Sequence, residues 1–346
     1  MARVFSGVKP SGTPHIGNYF GAFTRWAADQ EPGHFYCVVD LHAMTVPHDP
    51  AELHEQTLDL ATWLIASGLD PDTVTLFVQS QVREHAELAW ILDCVATMGE
   101  LQRMVQFKEK AAGQRDSVSV GLFNYPVLQA ADIILYQADE VPVGEDQRQH
   151  IELARDIAGR FNHRFGETFR LPKATLPTSG ARIMDLQHPD AKMSKSEESP
   201  QGTIDLADDA DTTRKKIMRA VTDSGTEVRA GDDKQGITNL LDLMAAATGQ
   251  SVAAIESDFA GKGYGDFKKA VAEAVNERLA PVRARHAELR ADPAAVHAEL
   301  EKGADRARAI AAETMAEVRA ALGLIEASGA ARSARAARAG EEARSA

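Results

Sequence analysis

Two segments far apart in the chain carry side chains suited to binding a triphosphate. In the segment 191–196, Ala-Lys-Met-Ser-Lys-Ser, Lys192 and Lys195 lie three residues apart beside two serines. In the segment 15–18, His-Ile-Gly-Asn, the first and last residues share one face of a predicted helix start. Cations that follow the charge developing on a departing pyrophosphate lower the barrier to its release. Together the two segments predict a site for a nucleoside triphosphate that loses pyrophosphate.

Each of these segments alone also has an ordinary structural interpretation. The segment 15–18 would fit a capped helix with a partly exposed histidine, and lysines followed by Glu197 and Glu198 would fit a solvated loop. Gly12 and Gly17, however, allow the backbone to approach a ligand closely, and a helix start offers unpaired N–H groups to an anion. The occurrence of both segments in one chain favours the nucleotide site.

A third candidate group lies in residues 141–150, where Glu145 and Asp146 follow a glycine turn and precede a predicted helix. Acids at this place would accept hydrogen bonds from ribose hydroxyls or from an amino group. They would equally complement the dipole of the helix that follows. The residues themselves leave both roles open.

A buried acid is predicted in the segment 124–136. Tyr125, Gln129 and Asp132 recur at i, i+4 and i+7, so they lie on one stripe of a helix. Alanine and isoleucine surround Asp132, and an unpaired carboxylate is costly to bury among them. Asp132 therefore requires an N–H or O–H donor, either from the protein or from a ligand.

Apolar runs predict the strands and helices that position these groups. Strands are predicted at 5–8, 35–39 and 74–78, and a helix at 50–68. The run at 35–39 is apolar throughout, which is typical of a parallel strand buried on both faces. This alternation predicts an α/β fold with a parallel sheet, whose ligands bind at the carboxyl ends of the strands.

The domain organisation follows from the loss of strand signals after about residue 200. We predict a catalytic nucleotide-binding domain at 1–200, with a helical insertion at about 100–170 and a mobile lysine loop at 191–198. Helix-rich sequence predicts an all-helical domain at 201–327. The low-complexity residues 328–346 predict a disordered tail.

Composition narrows the class of protein. A net charge of −13 argues against a general nucleic-acid binder, although a local basic path for RNA is compatible with it. No apolar run approaches the roughly 18–20 residues that span a bilayer, and the first residues lack the features of a signal peptide. Cys37 and Cys94 lie in apolar contexts without a CxxC pair, which predicts buried thiols in a cytoplasmic protein.

From about Arg3 to Leu324 the chain resembles the bacterial-type tryptophanyl-tRNA synthetases, which are class I aminoacyl-tRNA synthetases. Many adjoining blocks carry the resemblance, so it does not depend on one motif. The matching blocks are 5–7, 10–12, 15–19, 39–43, 100–104, 106–108, 130–132, 142–147, 180–184, 191–196 and 220–224.

The resemblance implies a Rossmann-type catalytic domain with a helical insertion, a C-terminal helical anticodon-binding domain and a homodimer. It also implies two half-reactions. In the first, the carboxylate of L-tryptophan attacks the α-phosphate of magnesium-bound ATP and gives tryptophanyl-adenylate. In the second, a terminal ribose hydroxyl of tRNA(Trp) takes the tryptophanyl group. Magnesium is implied to arrive with ATP rather than at a metal site of the protein.

The resemblance also implies roles for individual residues. Asp132 would accept the indole N–H. Catalytic roles are implied for His15, Asn18, Lys192 and Lys195. The implied ATP-binding residues are Lys9, Pro10, Ser11, Gly17, Asn18, Gly144, Glu145, Asp146, Ile183, Lys192, Met193, Ser194, Lys195 and Ser196. The implied tryptophan-binding residues are Phe5, Gly7, His42, Tyr125, Gln129, Asp132, Val141, Val143 and Gln147.

Two residues depart from the pattern of the family. Lys9 replaces the usual glutamine beside the nucleotide, and Gln129 replaces a common methionine beside the indole slot. A cation and an amide at these places would change how the site discriminates among ligands that resemble tryptophan. Our hypothesis is that the chain is an auxiliary copy that tolerates inhibitors.

Three rival interpretations remain at this stage. A tyrosyl-tRNA synthetase shares the fold and the aspartate, but its pocket must satisfy a phenolic hydroxyl. A nucleotidyltransferase for a small molecule would not need the helical region after residue 200. A non-catalytic paralogue that binds tRNA would not need the lysines or Asp132, all of which are present.

Overall fold

The computed structural model describes residues 2–105, 118–175, 183–194 and 200–325. The segment 191–196 is called the lysine segment, and its residues Lys195 and Ser196 lie outside the described residues. The predicted tail at 328–346 also lies outside them. The structural statements that follow concern the described part of the chain.

Parallel strands form the centre of the molecule. Three of them pair in the order β1-β2-β3, with Phe5 opposite Phe35 and Phe35 opposite Thr75. Two further strands, β4 and β5, pair in parallel, and a parallel bridge from Val4 to Glu140 places β4 beside β1. The bounds are β1 Phe5–Val8, β2 Phe35–Val38, β3 Thr75–Val78, β4 Glu140–Pro142 and β5 Lys173–Thr175.

Helices surround these strands and supply the regular elements of the described residues 200–325. A π-helical turn at Tyr19–Phe23 connects the α-helices Ile16–Asn18 and Thr24–Ala28. Short 3-10 turns occur at Gln79–Gln81, Glu145–Gln147 and Asp232–Lys234. The α-helices of the described residues are α1 Ile16–Asn18, α2 Thr24–Ala28, α3 Asp40–Ala43, α4 Pro50–Ala66, α5 Glu84–Asp93, α6 Met98–Arg103, α7 Val120–Ile134, α8 Arg148–Phe165, α9 Ala210–Met218, α10 Gln235–Thr248, α11 Val252–Asp258, α12 Tyr264–Ala291 and α13 Pro293–Leu322.

The strand order places a crevice between β1 and β4. From β1 the chain proceeds to β2 and β3 on one side, whereas β4 and β5 lie on the other side. The carboxyl ends of parallel strands diverge where the order reverses, and ligands of α/β proteins bind at that point. All residues of β2 and β3 are buried, as the apolar runs predict. The α/β fold with a parallel sheet is therefore confirmed.

The C-terminal helices share the hydrophobic core of the sheet. Side chains from α4, β2 and β3 pack in one cluster with Leu240, Leu279 and Leu300. Helix α13 lies directly on β3, and a methyl group at Gly303 would come within 1.7 Å of the carbonyl oxygen of Leu76. Glycine is required where a helix backbone approaches a strand this closely. The core therefore continues across the predicted boundary at residue 200.

One sequence prediction about the cysteines is wrong. Cys37 is buried in β2, but Cys94 is exposed, because it forms the C-cap of α5 at the surface. Its apolar neighbours in the sequence face the core while Cys94 faces solvent. In the described ranges no helix combines the length and the apolar character needed to cross a bilayer.

Candidate active site

A cavity of about 250 Å³ opens at the crevice between β1 and β4. The end of β1, the end of β4 and one face of α7 form its walls, as expected for a ligand site at a reversal of strand order. All nine residues predicted to bind tryptophan line it, although their individual roles stay predictions. The other lining residues are Ser6, Lys9, Val39, Thr45, Ile133 and Pro142.

Asp132 forms the polar end of this cavity. The residue is 1% exposed, and its carboxylate accepts three hydrogen bonds from protein side chains. Oδ1 accepts from Nε2 of Gln79 at 2.7 Å and from Nδ1 of His85 at 2.6 Å, and Oδ2 accepts from Nε2 of His42 at 2.9 Å. Burial alone raises the pKa of Asp132, but the hydrogen bonds from His42 and His85 outweigh it and hold that pKa well below its usual range. Asp132 is thus a buried anion that faces the cavity.

The sequence requirement for a donor at Asp132 is met by the protein itself, and two of the three donors were missed. Gln79 and His85 were not predicted as site residues. A signal for Gln79 existed, since it directly follows β3 at the carboxyl edge of the sheet. His85 lies in the first turn of α5, which carries no sequence pattern that distinguishes it from a core histidine.

A second polar group lies further along the same helix, α7. The hydroxyl of Tyr125 lies 2.9 Å from Nε2 of His150, and Nε2 of Gln129 lies 3.4 Å from Oε1 of Gln147. Gln147 in turn donates to Asp146 at 2.8 Å. Tyr125, Gln129 and Asp132 therefore lie on one stripe of α7, as their spacing predicts, with Gln129 between the two polar ends of the cavity.

The turn at His15 presents hydrogen-bond donors. Nδ1 of His15 accepts the backbone N–H of Gly17 at 3.1 Å, and Oδ1 of Asn18 accepts the N–H of His15 at 3.0 Å. Because these acceptor atoms are occupied by the backbone, the imidazole carries its proton on Nε2 and the amide presents its NH₂ group. The turn is therefore both the capped helix start and a set of donors suited to phosphate oxygens.

The residues 203–206 bring the lysine segment against this turn. The N–H of Ile16 donates to the carbonyl of Ile204 at 2.9 Å, and the hydroxyl of Thr203 donates to the carbonyl of Ser194 at 2.8 Å. Met193 is buried, and a methyl group at Gly17 would lie 3.8 Å from its Cβ. The two segments that predicted a triphosphate site are thus neighbours in space.

Backbone hydrogen bonds anchor the described part of the lysine segment, in which Met193 is buried and Lys192 and Ser194 are exposed. Lys192 bridges to Met184 in antiparallel fashion, and the N–H of Met193 donates to the carbonyl of Ile183 at 3.1 Å. The side chain of Asn239 holds Met184 by both its N–H and its carbonyl group, at 2.8 and 2.9 Å. Lys192 itself is exposed. An exposed cation on a fixed base suits the charge that develops on a departing pyrophosphate.

Lys9, Pro10 and Ser11 line a second, smaller cavity of about 150 Å³. Lys9 also lines the cavity of Asp132, so it stands between the two. Burial lowers the pKa of Lys9. Gly144, Glu145 and Asp146 form an exposed turn before α8, beside the residues of the larger cavity.

No group of three or more His, Cys, Asp and Glu side chains suited to a metal ion occurs in the described ranges. The interpretation that magnesium arrives with the nucleotide stays a prediction. The phosphate contacts predicted for His15, Asn18, Lys9 and Lys192 likewise stay predictions.

The fold and this arrangement of donors define a class of protein. The model of the family "tRNA synthetases class I (W and Y)" matches residues 1–280. The chain belongs to this family of class I aminoacyl-tRNA synthetases.

The most similar proteins point to one branch of the family. The protein named tryptophan–tRNA ligase of Caldanaerobacter subterraneus subsp. tengcongensis is 53% identical over 327 residues, which cover 94% of this chain and 99% of that protein. The crystal structure of tryptophanyl-tRNA synthetase from Mycoplasma pneumoniae is 37% identical, with a TM-score of 0.85, and the match covers 94% of this chain and 98% of that chain. The enzyme of Campylobacter jejuni, complexed with ADP and tryptophan, is 37% identical with a TM-score of 0.80, covering 93% and 100%. All three relatives are named for tryptophan.

Proposed function

We propose that this protein is a tryptophan–tRNA ligase, which activates L-tryptophan with ATP and transfers it to tRNA(Trp). The observation that carries the proposal is the buried carboxylate of Asp132 at the end of a largely apolar cavity. Phe5, Val141 and Val143 offer apolar surface to an indole ring, and Asp132 offers an acceptor to its N–H. The relatives named for tryptophan support the same substrate.

The geometry supports different roles for the hydrogen-bond donors and the lysines in the first half-reaction. The tryptophan carboxylate attacks the α-phosphorus of ATP, a new P–O bond forms, and the bond to the β-phosphate oxygen breaks. Nε2–H of His15 and the amide of Asn18 donate to phosphate oxygens. Lys192, with Lys195 beyond the described residues, neutralises the charge that develops on pyrophosphate. Magnesium bound to ATP supplies further neutralisation.

In the second half-reaction, a ribose hydroxyl of tRNA(Trp) attacks the carbonyl carbon of the adenylate. The ester forms, and AMP leaves with the electron pair of the broken C–O bond. The helices that follow residue 200 are the proposed anticodon-binding part. A cytoplasmic location is proposed because charged tRNA is consumed there.

Exchange of pyrophosphate into ATP, measured with each standard amino acid, tests the proposal. We expect exchange with tryptophan alone. Exchange stimulated by tyrosine instead would assign the chain to the other branch of the family. Binding of tRNA without any exchange would assign it to the non-catalytic paralogues, and exchange without transfer to tRNA would favour a nucleotidyltransferase.

The proposed partner in solution is a second copy of the chain. Large apolar side chains are exposed on helices that pack against one another, with Trp90 on α5 70% exposed and Val120 on α7 81% exposed. Met98, at the start of α6, and Val105, two residues beyond its end, are also exposed. Apolar surface of this kind marks a protein interface.

We expect Trp90→Asp to convert a dimer into a monomer, because a charge at the centre of an apolar interface is costly to desolvate. Sedimentation velocity measures the change in mass. Val221→Asp serves as the matched control, since Val221 is exposed elsewhere, between α9 and α10. A monomeric parent, or a dimer that survives the Trp90 substitution, would contradict the proposed interface.

The hypothesis of an inhibitor-tolerant copy concerns Lys9 and Gln129, which both line the cavity of Asp132. We expect Lys9→Gln and Gln129→Met to change inhibition by tryptophan analogues by more than about tenfold, or 1.4 kcal/mol. The physical reason is the loss of a cation and of an amide from the wall that an analogue contacts. Inhibition constants in the exchange assay provide the measurement, and parental values in both variants would refute the hypothesis.

A further inference from the structure

We propose that Gln79, His85 and Tyr136 are positioning residues that fix the carboxylate of Asp132 so that only Oδ2 is offered to the substrate. They thereby set how strongly the site demands an N–H group on the ring that it binds. This inference rests on the proposed function and extends it to residues that do not touch the substrate.

The hydrogen bonds at Oδ1 use its acceptor capacity. A carboxylate oxygen offers about two lone-pair directions. Gln79 and His85 occupy both directions at Oδ1, at 2.7 and 2.6 Å. Oδ2 accepts from His42 at 2.9 Å, its one hydrogen bond within the described residues. One direction at Oδ2 is therefore left for a donor from the cavity.

The orientation of Gln79 is fixed independently of Asp132. Its Oε1 accepts the backbone N–H of Leu41 at 3.1 Å, so its NH₂ group must be the end that faces the carboxylate. Gln79 is fully buried, and it directly follows β3. The sheet thus holds one of the two donors to Oδ1.

His85 is fixed from its other side by Tyr136. Nε2 of His85 lies 2.7 Å from the hydroxyl of Tyr136, and both residues are fully buried. The Tyr136 ring stacks on Phe35, with centroids 4.7 Å apart and planes 21° apart, and on Phe5 at 5.8 Å. Burial raises the pKa of Tyr136 well above its usual value, so the hydroxyl keeps its proton. The aromatic core therefore sets the plane of the imidazole that donates to Asp132.

This arrangement makes the binding of a ligand without a ring N–H unfavourable. A ligand with a ring N–H completes the hydrogen bonding of Oδ2, whereas an isosteric ligand without it leaves a buried lone pair unsatisfied. A buried acceptor left unsatisfied is costly, and a site built to hydrogen-bond an N–H group rejects analogues that lack it. Discrimination is greatest when Oδ2 has no freedom to turn away.

The charged and titratable groups around Asp132 predict the effect of pH. Two opposing effects determine the pKa of Asp132, because burial raises this pKa and the hydrogen-bond donors lower it. Removal of the His85 donor shifts this balance towards burial, so the carboxyl protonates at a higher pH and loses its acceptor as pH falls. The groups that face Asp132 are His42 from α3, His85 from α5, Cys37 from β2 and Tyr136 at the end of α7, with Lys9 across the cavity.

The test compares tryptophan with benzothienylalanine, in which sulfur replaces the indole N–H, by pyrophosphate exchange between pH 5.5 and about 8.5. His85→Leu removes the donor to Asp132. We expect its preference for tryptophan, as a ratio of kcat/KM values, to narrow by at least about tenfold. We also expect its KM for tryptophan to rise as pH falls, while the KM for ATP stays near the parental value.

His85→Asn is the conservative rescue, because its amide NH₂ replaces Nδ1 as the donor to Oδ1. We expect its discrimination and pH profile to recover from those of His85→Leu to about those of Tyr136→Phe, because the donor to Oδ1 is restored while the hydrogen bond with Tyr136 is lost. Tyr136→Phe keeps the ring but frees the imidazole, and we expect a smaller loss of discrimination with the same pH trend. If His85→Leu does not fold, Tyr136→Phe alone decides the question.

Parental discrimination and pH profiles in both His85→Leu and Tyr136→Phe would overturn the inference. So would a His85→Asn variant that behaves like His85→Leu, since volume rather than the donor would then matter. A parent that shows no exchange with tryptophan would instead refute the proposed function, so the two failures are distinguishable.

Discussion

We expect Asp132→Asn to reduce tryptophan-dependent pyrophosphate exchange by about a thousandfold in kcat/KM. The substitution replaces an anion that accepts three hydrogen bonds with an amide whose NH₂ group must face Gln79 and His85 or His42, which are themselves donors. Removing one member of a buried, charged hydrogen-bond network costs about 3–5 kcal/mol. A cost of about 4 kcal/mol corresponds to a nearly thousandfold change in kcat/KM. The KM for ATP should change little, because the carboxylate lies at the amino-acid end of the site.

Asp93→Asn is the matched control for this substitution. Asp93 lies on α5 and accepts a hydrogen bond from Asn124 at 2.7 Å, on a helix that packs against α7. We expect that variant to retain the exchange rate within a fewfold of the parent. Thermal melting separates a loss of the site from a loss of the fold. Near-parental exchange in folded Asp132→Asn would show that the carboxylate does not select the substrate.

We expect His15→Ala to lower the rate of adenylate formation by about a hundredfold or more, the usual effect of removing one preorganised donor to a developing charge. In the structure Nδ1 of His15 accepts the N–H of Gly17, and the proposed function assigns Nε2–H as the donor to a phosphate oxygen. Single-turnover formation of tryptophanyl-adenylate measures the rate. The dissociation constant for tryptophan should remain unchanged.

His15 has a structural role as well, and a second variant separates the two. Loss of the cap destabilises the helix start by about 1 kcal/mol. His15→Asn keeps an acceptor for the N–H of Gly17 but not the reach of the imidazole, so we expect parental stability with the slow rate of His15→Ala. His163→Ala, at an exposed histidine near the end of α8, should change neither quantity. Recovery of the rate in His15→Asn would assign the effect to the cap.

The strands and the stripe of α7 that lines the cavity were accessible from the sequence for definite physical reasons, whereas the other predicted cavity residues came from the resemblance to a family. Parallel strands that are buried on both faces have continuous apolar sequences. The apolar sequence that contains Phe35–Val38 forms such a strand. The helical period placed Tyr125, Gln129 and Asp132 on one stripe of α7, and the structure has all three on the cavity wall. The need of a buried acid for donors was likewise derivable from its apolar neighbours.

The donors to Asp132 were not accessible in the same way. Gln79 and His85 are single residues on two other elements, and no periodicity links them to α7. Their approach depends on how α5 and β3 pack, which is a property of the tertiary structure. The contact of residues 203–206 with the segments 15–18 and 191–196 could not be predicted for the same reason. Short stretches of backbone pairing between loops have no signature in side-chain type.

The close contact of Gly303 with Leu76 has a consequence for the order in which the chain folds. Strand β3 lies near the start of the chain and α13 near its end, yet each covers the apolar face of the other. During synthesis the first part of the sheet emerges from the ribosome well before the helix that completes its core. Contacts between residues so far apart in sequence form late, and the exposed intermediate needs protection from aggregation until then. Removal of α13 would therefore leave a catalytic half that is synthesised normally but never completes its folding.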